Sequence, residues 1–219
     1  MRIAKYVHSC VLIEESGERL LFDPGRFSFV EGRVSPDQFG DVSYVVLTHN
    51  HPDHIDVPAL KRILELSNAG VIGNSEIASV LQPEGITVRP LDEGILRAGS
   101  LTLRAIPTPH EPILTGALPQ HTAFLVNDRV LNSVDSFGPA LDQFAGVDLL
   151  IMPVMAPFLT EVGAFAFAQR MRPKAVFPVH DGYTRDFFIT MRYDTFTPFL
   201  ANLGVKFHPV SEPGASITI

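Results

Sequence analysis

The stretch Thr48-His49-Asn50-His51-Pro52-Asp53-His54 is the most informative segment of the 219-residue chain. It places three of the eight histidines and a carboxylate within six residues. Charged side chains of one sign at this density repel one another, and buried ones need partners. A divalent ion meets both demands, because imidazole nitrogen and carboxylate oxygen are ligands of Zn²⁺, Mn²⁺ and Fe²⁺. In an extended loop His49 and His51 can share one ion, while Asp53 and His54 reach a second. A solvated polar loop at a helix start is the alternative.

The segments on either side of this loop indicate an α/β fold. Residues 44–47 are a short apolar run typical of a strand buried on both faces. From Asp56, a plausible N-cap, the apolar residues recur with helical spacing. Each half of the chain begins with strands and continues with helices that alternate with strands. We therefore expect a single domain, a four-layer α/β/β/α sandwich made of two half-domains over about residues 1–93 and 94–219.

The composition narrows the range of partners and compartments. The chain has 17 Lys and Arg against 24 Asp and Glu, a net charge of −7, which argues against nucleic acid or an anionic membrane as partner. No apolar run approaches the ~20 residues of a membrane helix, and no signal peptide is visible, so we expect a cytoplasmic protein. The single cysteine, Cys10, excludes an internal disulfide and a thiolate zinc site. A homo-oligomer is a further possibility, because aromatic residues in the expected loops could form a dimer surface.

Further metal ligands are expected at the ends of other strands, because sites on open α/β folds gather there. His110 follows the predicted strand 101–106, and Asp135 follows 129–132. His180 follows the predicted strand 175–179. Each residue alone is equally compatible with a hydrogen-bonded loop position. Three such residues beside the histidine-rich loop together favour a shared site.

This pattern resembles the metallo-β-lactamase superfamily of binuclear metallohydrolases. The resemblance rests on His49-x-His51-x-Asp53-His54, then His110, Asp135 and His180. It covers essentially the whole chain. Segments 7–13, 21–24, 174–180 and 212–214 look like the ascorbate-phosphate-lactonase-like branch. The resemblance implies the same αββα sandwich that the order of elements suggests.

The resemblance also implies a role for each ligand. His49, His51 and His110 would hold the first ion, and Asp53, His54 and His180 the second, with Asp135 bridging the two. The family usually has Gly before the bridging Asp, whereas this chain has Val134. Asp128 is therefore retained as the alternative bridging ligand.

Two divalent ions, most simply zinc with manganese or iron as alternatives, imply hydrolytic chemistry. They lower the pKa of a shared water, and the metal-bound hydroxide attacks a small ester, lactone or phosphodiester. Asp53 is the expected catalytic residue that guides the proton. Two dications, two carboxylates and one hydroxide sum to about +1, so an anionic substrate would be attracted. A mononuclear iron oxygenase and a non-catalytic binding module are the other functions considered.

Five more residues are expected around the site. His8 and Asp23 are candidates for hydrogen bonds that orient the ligands, although Asp23 equally fits a turn. Substrate contacts are expected from His121, Tyr183 and Arg185. The alternatives are a strand-edge position for His121, core packing or a dimer surface for Tyr183, and a solvated helix position for Arg185. The substrate pocket is expected to form from loops 26–41, 111–120, 156–165 and 181–196. The last helix is predicted to begin at Thr197.

Overall fold

The first β-sheet contains the strands that lead into the histidine-rich loop. The computed structural model describes residues 1–219. Six strands of this sheet come from the first half of the chain: Arg2–Lys5 (β1), Val11–Glu15 (β2), Glu18–Phe22 (β3), Tyr44–Val46 (β4), Gly70–Gly73 (β5) and Val88–Pro90 (β6). β1, β2 and β3 are antiparallel neighbours, whereas β3 to β6 run parallel. The parallel part directs the ends of β3 and β4 to one edge.

The second sheet has the same organisation. Its strands are Gly94–Ala98 (β7), Leu101–Thr108 (β8), His121–Val126 (β9), Val130–Asn132 (β10), Leu149–Pro153 (β11), Ala175–Val179 (β12) and Lys206–Phe207 (β13). β7 to β10 are antiparallel neighbours, and β10 to β13 run parallel. The last strand, Ser216–Thr218 (β14), returns to the first sheet and pairs with β1. The boundary near residue 93 therefore separates the two sheets except for this strand.

Helices cover the outer faces of both sheets. They are Arg26–Phe29 (α1), Val57–Ser67 (α2), Ser75–Leu81 (α3), Glu161–Met171 (α4) and Asp186–Asn202 (α5), with short 3₁₀ helices at Pro36–Phe39, Gln82–Glu84 and Pro139–Phe144. The Asp56 carboxylate caps α2 by accepting a 2.9 Å hydrogen bond from the Ala59 N–H. None of these helices has both the length and the hydropathy to cross a lipid bilayer.

Three apolar layers hold the elements together. Phe22 of the first sheet and Phe124 of the second pack between the sheets. Leu60 of α2 belongs to the core outside the first sheet, and Phe167 of α4 belongs to the core outside the second. The four-layer sandwich predicted from the element order is confirmed.

The last helix is longer than predicted. It begins at Asp186 rather than Thr197 and continues past Pro198, which lies inside it. Buried residues follow a helical spacing along one face, namely Ile189, Tyr193, Phe196 and Leu200. Exposed Phe187 and Met191 on the other side obscure that period in the sequence. The expected loop 181–196 is therefore mostly helix, and only residues 181–185 remain as loop before it.

Candidate metal centre

The seven predicted ligands meet at the carboxyl ends of parallel and neighbouring strands. The loop 49–54 follows β4, and His110 follows β8. Asp135 follows β10, and His180 follows β12. Strand ends from both sheets thus face each other across the sandwich edge. This arrangement explains how residues as distant in sequence as His54 and His180 come close to one another.

The candidate ligands form two groups. One contains His49, His51, His110 and Asp135, and their ligand atoms all lie within 4.8 Å of one another. The same limit encloses the second group, which is His8, Asp53, His54 and His180. All of these side chains are buried except those of His51 and Asp53, which are half-buried. The sequence places every one of these residues except His8 in the predicted ligand set.

Asp135 lies between the two groups. Its Oδ2 atom faces the Nε2 atom of four histidines at similar distances: His49 at 3.6 Å, His54 at 3.3 Å, His110 at 3.4 Å and His180 at 3.2 Å. Two of these histidines belong to each group. One carboxylate oxygen is therefore placed where it can contact ions held by either group.

Each of these four imidazoles uses its other nitrogen for an outward hydrogen bond. The Nδ1 atoms donate to oxygen atoms, namely His49 to Thr48 Oγ1 (3.0 Å), His54 to Asp23 Oδ2 (3.0 Å), His110 to the Glu111 carbonyl (2.5 Å) and His180 to the Met155 carbonyl (2.7 Å). A neutral imidazole that donates through Nδ1 keeps a lone pair on Nε2. All four lone pairs then point towards Asp135.

This donor set fits a divalent cation. The Nε2 atoms of His54 and His110 and the Oδ1 atom of Asp135 are buried without a hydrogen-bond partner. Buried acceptors that face each other are costly unless something positive lies between them. Nitrogen and oxygen ligands of this kind suit zinc, manganese or iron. The residues present therefore fit a divalent metal ion.

The pKa shifts at this centre reflect two opposing effects, burial and the charges of neighbouring groups. Burial alone would raise the pKa of Asp135, but His180 and His54 hold it well below the ordinary range. Burial opposes the charged form of His54 too, yet Asp135 and Asp23 raise its pKa well above 6.5. For His49 the loss of hydration dominates, and its pKa is well below 6.5. The centre thus attracts positive charge, and metal binding must displace protons from it.

Asp23 orients His54, as one of its two predicted roles requires. The carboxylate is fully buried, and its Oδ1 atom accepts a 2.9 Å hydrogen bond from the Thr48 N–H. Its Oδ2 atom accepts from Thr48 Oγ1 at 2.7 Å as well as from His54. Since Thr48 Oγ1 also accepts from His49, Asp23 supports ligands of both groups.

His8 contacts the second group through a defined tautomer. The Gly182 N–H donates to His8 Nδ1 at 3.1 Å, so the ring proton of the neutral imidazole lies on Nε2. Nε2 in turn donates to Asp53 Oδ2 at 3.1 Å. Burial lowers the pKa of His8 to about 3, which keeps the ring neutral. His8 is therefore arranged to orient Asp53 rather than to bind an ion itself.

Several residues of the site have left-handed backbone conformations. His8 has φ of 63°, Asp23 of 44° and His180 of 67°. Val134, which stands where the family usually has Gly, has φ of 46°. This conformation costs roughly 1–2 kcal/mol for an L-residue, and burial of the Val134 side chain offsets it. The turn that presents Asp135 is thus one that glycine would adopt readily.

Two predicted residues lie away from the expected positions. His121 is buried behind Asp135, where its Nδ1 donates to Thr108 Oγ1 and its Nε2 accepts from the Asp135 N–H. Both ring nitrogens of His121 are thus engaged, one of them with the Asp135 backbone, and His121 lines neither cavity at the candidate ligands. Asp128, the alternative bridging ligand, lies in the hairpin turn after β9 and pairs with Arg104. It is remote from both ligand groups.

The other two predicted substrate residues lie in different cavities. Tyr183 lines a cavity of about 430 Å³ together with Asp53 and His180. Arg185 instead lines a neighbouring cavity of about 490 Å³ beside Asp186, and no metal-ligand candidate lines that cavity. Arg185 therefore lies outside the two cavities that the candidate ligands line.

The sequence analysis missed a buried ionic cluster behind His180. Lys5 Nζ donates to Asp181 Oδ2 and, at 2.7 Å, to Tyr193 Oη, which also donates to Asp181. All three residues are at most 3% exposed. They are far apart in sequence, and no local pattern of the chain links them. Asp181 lies between His180 and Gly182, so the cluster anchors the segment that contacts His8.

Comparisons with known proteins agree with this geometry. Residues 2–180 match the family described as beta-lactamase superfamily domain. A UPF0173 protein of Pyrococcus furiosus is 30% identical over 187 residues, which cover 83% of this chain and 84% of that protein. A UPF0173 metal-dependent hydrolase of Carboxydothermus hydrogenoformans is 26% identical, over 82% of this chain and 84% of the relative. A metallo hydrolase of Ignicoccus hospitalis shares the fold, with a TM-score of 0.72, 21% identity and coverage of 99% of this chain and 97% of that one.

The chain therefore belongs to the metallo-β-lactamase superfamily, and the resemblance to that superfamily is confirmed. Within it, the fold, the His and Asp clusters and the named relatives make the protein a metal-dependent hydrolase.

Proposed function

We propose that the protein is a binuclear metallohydrolase that acts on a small ester, lactone or phosphodiester. The observation that carries the proposal is the position of Asp135 Oδ2, within 3.6 Å of imidazoles from both ligand groups. Zinc is the proposed metal, because a donor set of histidine nitrogen and carboxylate oxygen suits it, although manganese and iron accept the same donors.

The side chains of the centre have two proposed roles, as metal ligands and as the acceptor of a proton. His49, His51 and His110 would hold one ion, Asp53, His54 and His180 would hold the other, and Asp135 would be shared between them. When bound, two such ions lower the pKa of a coordinated water and polarise the electrophilic oxygen of a substrate.

Asp53 is suited to accept the proton of the attacking water. His8 and the neighbouring histidines fix its Oδ2 atom, whereas Oδ1 forms no hydrogen bond within the protein. Burial opposes ionisation of this carboxyl, but His54 and His8 lower its pKa below the ordinary range. The carboxylate is thus ionised and half-buried at the wall of the cavity, with one oxygen free for a proton.

The complete second group favours a hydrolase over a mononuclear iron oxygenase. An oxygenase with one ion would leave Asp53, His54 and His180 without a function at the centre. A cavity of about 430 Å³ suits a small molecule, and the net charge of −7 disfavours nucleic acid as substrate.

The proposal is tested by hydrolysis of ester, lactone and phosphodiester substrates with zinc- and manganese-loaded protein. We expect turnover of at least one class, and its loss in His51→Ala and Asp135→Ala. Asp128→Ala is the matched control, because it removes a carboxylate at the remote hairpin. Turnover in Asp135→Ala equal to that of Asp128→Ala would refute the ligand assignment.

A further inference from the structure

The walls around the ligands contain few groups that could recognise a substrate. Two cavities, of about 430 and 270 Å³, face the candidate ligands and share Asp53 and His180. Apart from the ligands, their lining is apolar or proline, namely Phe27, Pro52, Ile113, Pro157 and Phe158, with two exceptions. The exceptions are Arg26 and Tyr183. Polar recognition of a substrate next to the ions therefore depends on these two side chains.

The backbone of Arg26 is fixed against the loop that carries Asp53. Its N–H donates to the Pro52 carbonyl at 2.8 Å. The preceding Gly25 touches the same loop so closely that a Cβ atom there would lie 1.7 Å from the Asp53 carbonyl oxygen. Arg26 thus begins α1 directly beside the second ligand group.

The Arg26 side chain is available for a ligand. It is exposed and forms no ion pair or hydrogen bond within the protein. By contrast, Arg33 in the adjoining cavity of about 490 Å³ pairs with Asp186 and Glu212. A free guanidinium next to a metal centre binds carboxylate or phosphate oxygens in a two-pronged geometry.

We propose that Arg26 is a specificity-determining residue that binds an anionic oxyacid group, a carboxylate or a phosphate, on the substrate. This inference rests on the proposed hydrolase function and narrows its substrate class. The scissile group lies at the ligands of the two cavities, and the anionic group lies at Arg26, within the same cavity of about 430 Å³. The Tyr183 hydroxyl lines this cavity as a second donor.

The test compares two esters with the same leaving group on zinc-loaded protein. 4-Nitrophenyl benzoate is neutral, and mono-4-nitrophenyl terephthalate has a carboxylate on the far side of the ring, where it cannot attack its own ester. We expect Arg26→Gln to lower the ratio of kcat/KM for the terephthalate ester to that for the benzoate about tenfold or more, mainly through KM. Arg97→Gln is the matched control. Arg97 is exposed on β7 and forms no ion pair, so this substitution removes the same charge away from the ligands. An equal ratio in both variants would overturn the inference.

A binding measurement separates this inference from the hydrolase proposal. Inorganic phosphate and succinate are titrated into zinc-loaded wild-type, Arg26→Gln and Arg97→Gln protein by calorimetry. We expect Arg26→Gln alone to weaken one anion about tenfold or more, and the anion affected identifies the source of the oxyacid group. If neither ester is hydrolysed, ester hydrolysis is refuted while this titration still decides the role of Arg26. Equal affinities of the two variants for both anions would refute anion binding by Arg26.

Discussion

Asp23→Asn is expected to remove the ion of the second group while the fold persists. The Thr48 N–H donates to Oδ1 and cannot accept, so the amide oxygen of Asn must occupy that position. The amide NH₂ then takes the place of Oδ2, opposite His54 Nδ1 at about 3.0 Å. His54 would have to accept there, which moves its ring proton to Nε2 and blocks the lone pair directed at the centre.

The size of this effect follows from the hydrogen bonds that are lost. Removing one group that orients a ligand typically lowers metal affinity about 10- to 100-fold, or about 1.4–2.8 kcal/mol. Because the substitution reverses the tautomer of His54 as well, we expect a loss at the upper end of that range. His49 is connected to Asp23 only through Thr48, so the first ion should be retained.

Elemental analysis after gel filtration, and competition with a chelating indicator, measure this loss. We expect Asp23→Asn to retain about one zinc per chain where the wild type retains about two. Asp148→Asn is the control, because Asp148 is a half-exposed partner of Arg129 and Lys174 far from the ligands. Equal zinc content and affinity in the two variants would refute the orientation argument.

Three further predictions concern stability and packing. Burial lowers the pKa of His121 to about 3, so the unfolded chain binds more protons below pH 6.5, and metal-free protein loses stability as the pH falls through that window. Urea unfolding at about pH 7.5 and about pH 5 should show a loss about 2 kcal/mol smaller in His121→Gln than in wild type; equal losses would contradict this. Gly25→Ala should displace the Asp53 loop and lower zinc content, whereas Gly116→Ala, with open space around it, should not. Asp56→Ala should lower the free energy of unfolding by about 1 kcal/mol in the same assay, because the N-cap hydrogen bond of α2 is lost. Asp56→Asn should keep most of this stabilisation, since its amide oxygen can accept the same hydrogen bond.

The sequence predicted the site best where metal-binding residue types directly follow a predicted strand. The ligand types between His49 and His54 are too dense for ordinary packing, and they follow a recognisable buried strand. His110, Asp135 and His180 each follow a strand, and parallel strands bring such positions to one edge. The layer order followed from the same alternation of strands and helices, so the fold was predictable from it.

The remaining features depend on contacts that no local pattern encodes. All six residues of β9 are buried, so alternation could not show that His121 points behind Asp135. Arg26 follows the turn at residues 23–25, and Arg185 follows the segment that begins with His180, so both are equally plausible substrate contacts from sequence. Only the packing of α1 on the Asp53 loop shows that Arg26 is the one beside the ligands. The cluster of Lys5, Asp181 and Tyr193 joins β1 to α5 across most of the chain, which sequence spacing cannot reveal.

We expect two metal ions to share the Asp135 carboxylate. Anomalous diffraction from crystals grown with zinc, measured on both sides of the zinc absorption edge, would locate these ions directly. We predict two peaks about 3.5–4 Å apart, each about 2.0–2.2 Å from an Asp135 carboxylate oxygen. A single peak, or two peaks of which only one contacts Asp135, would refute a shared binuclear centre.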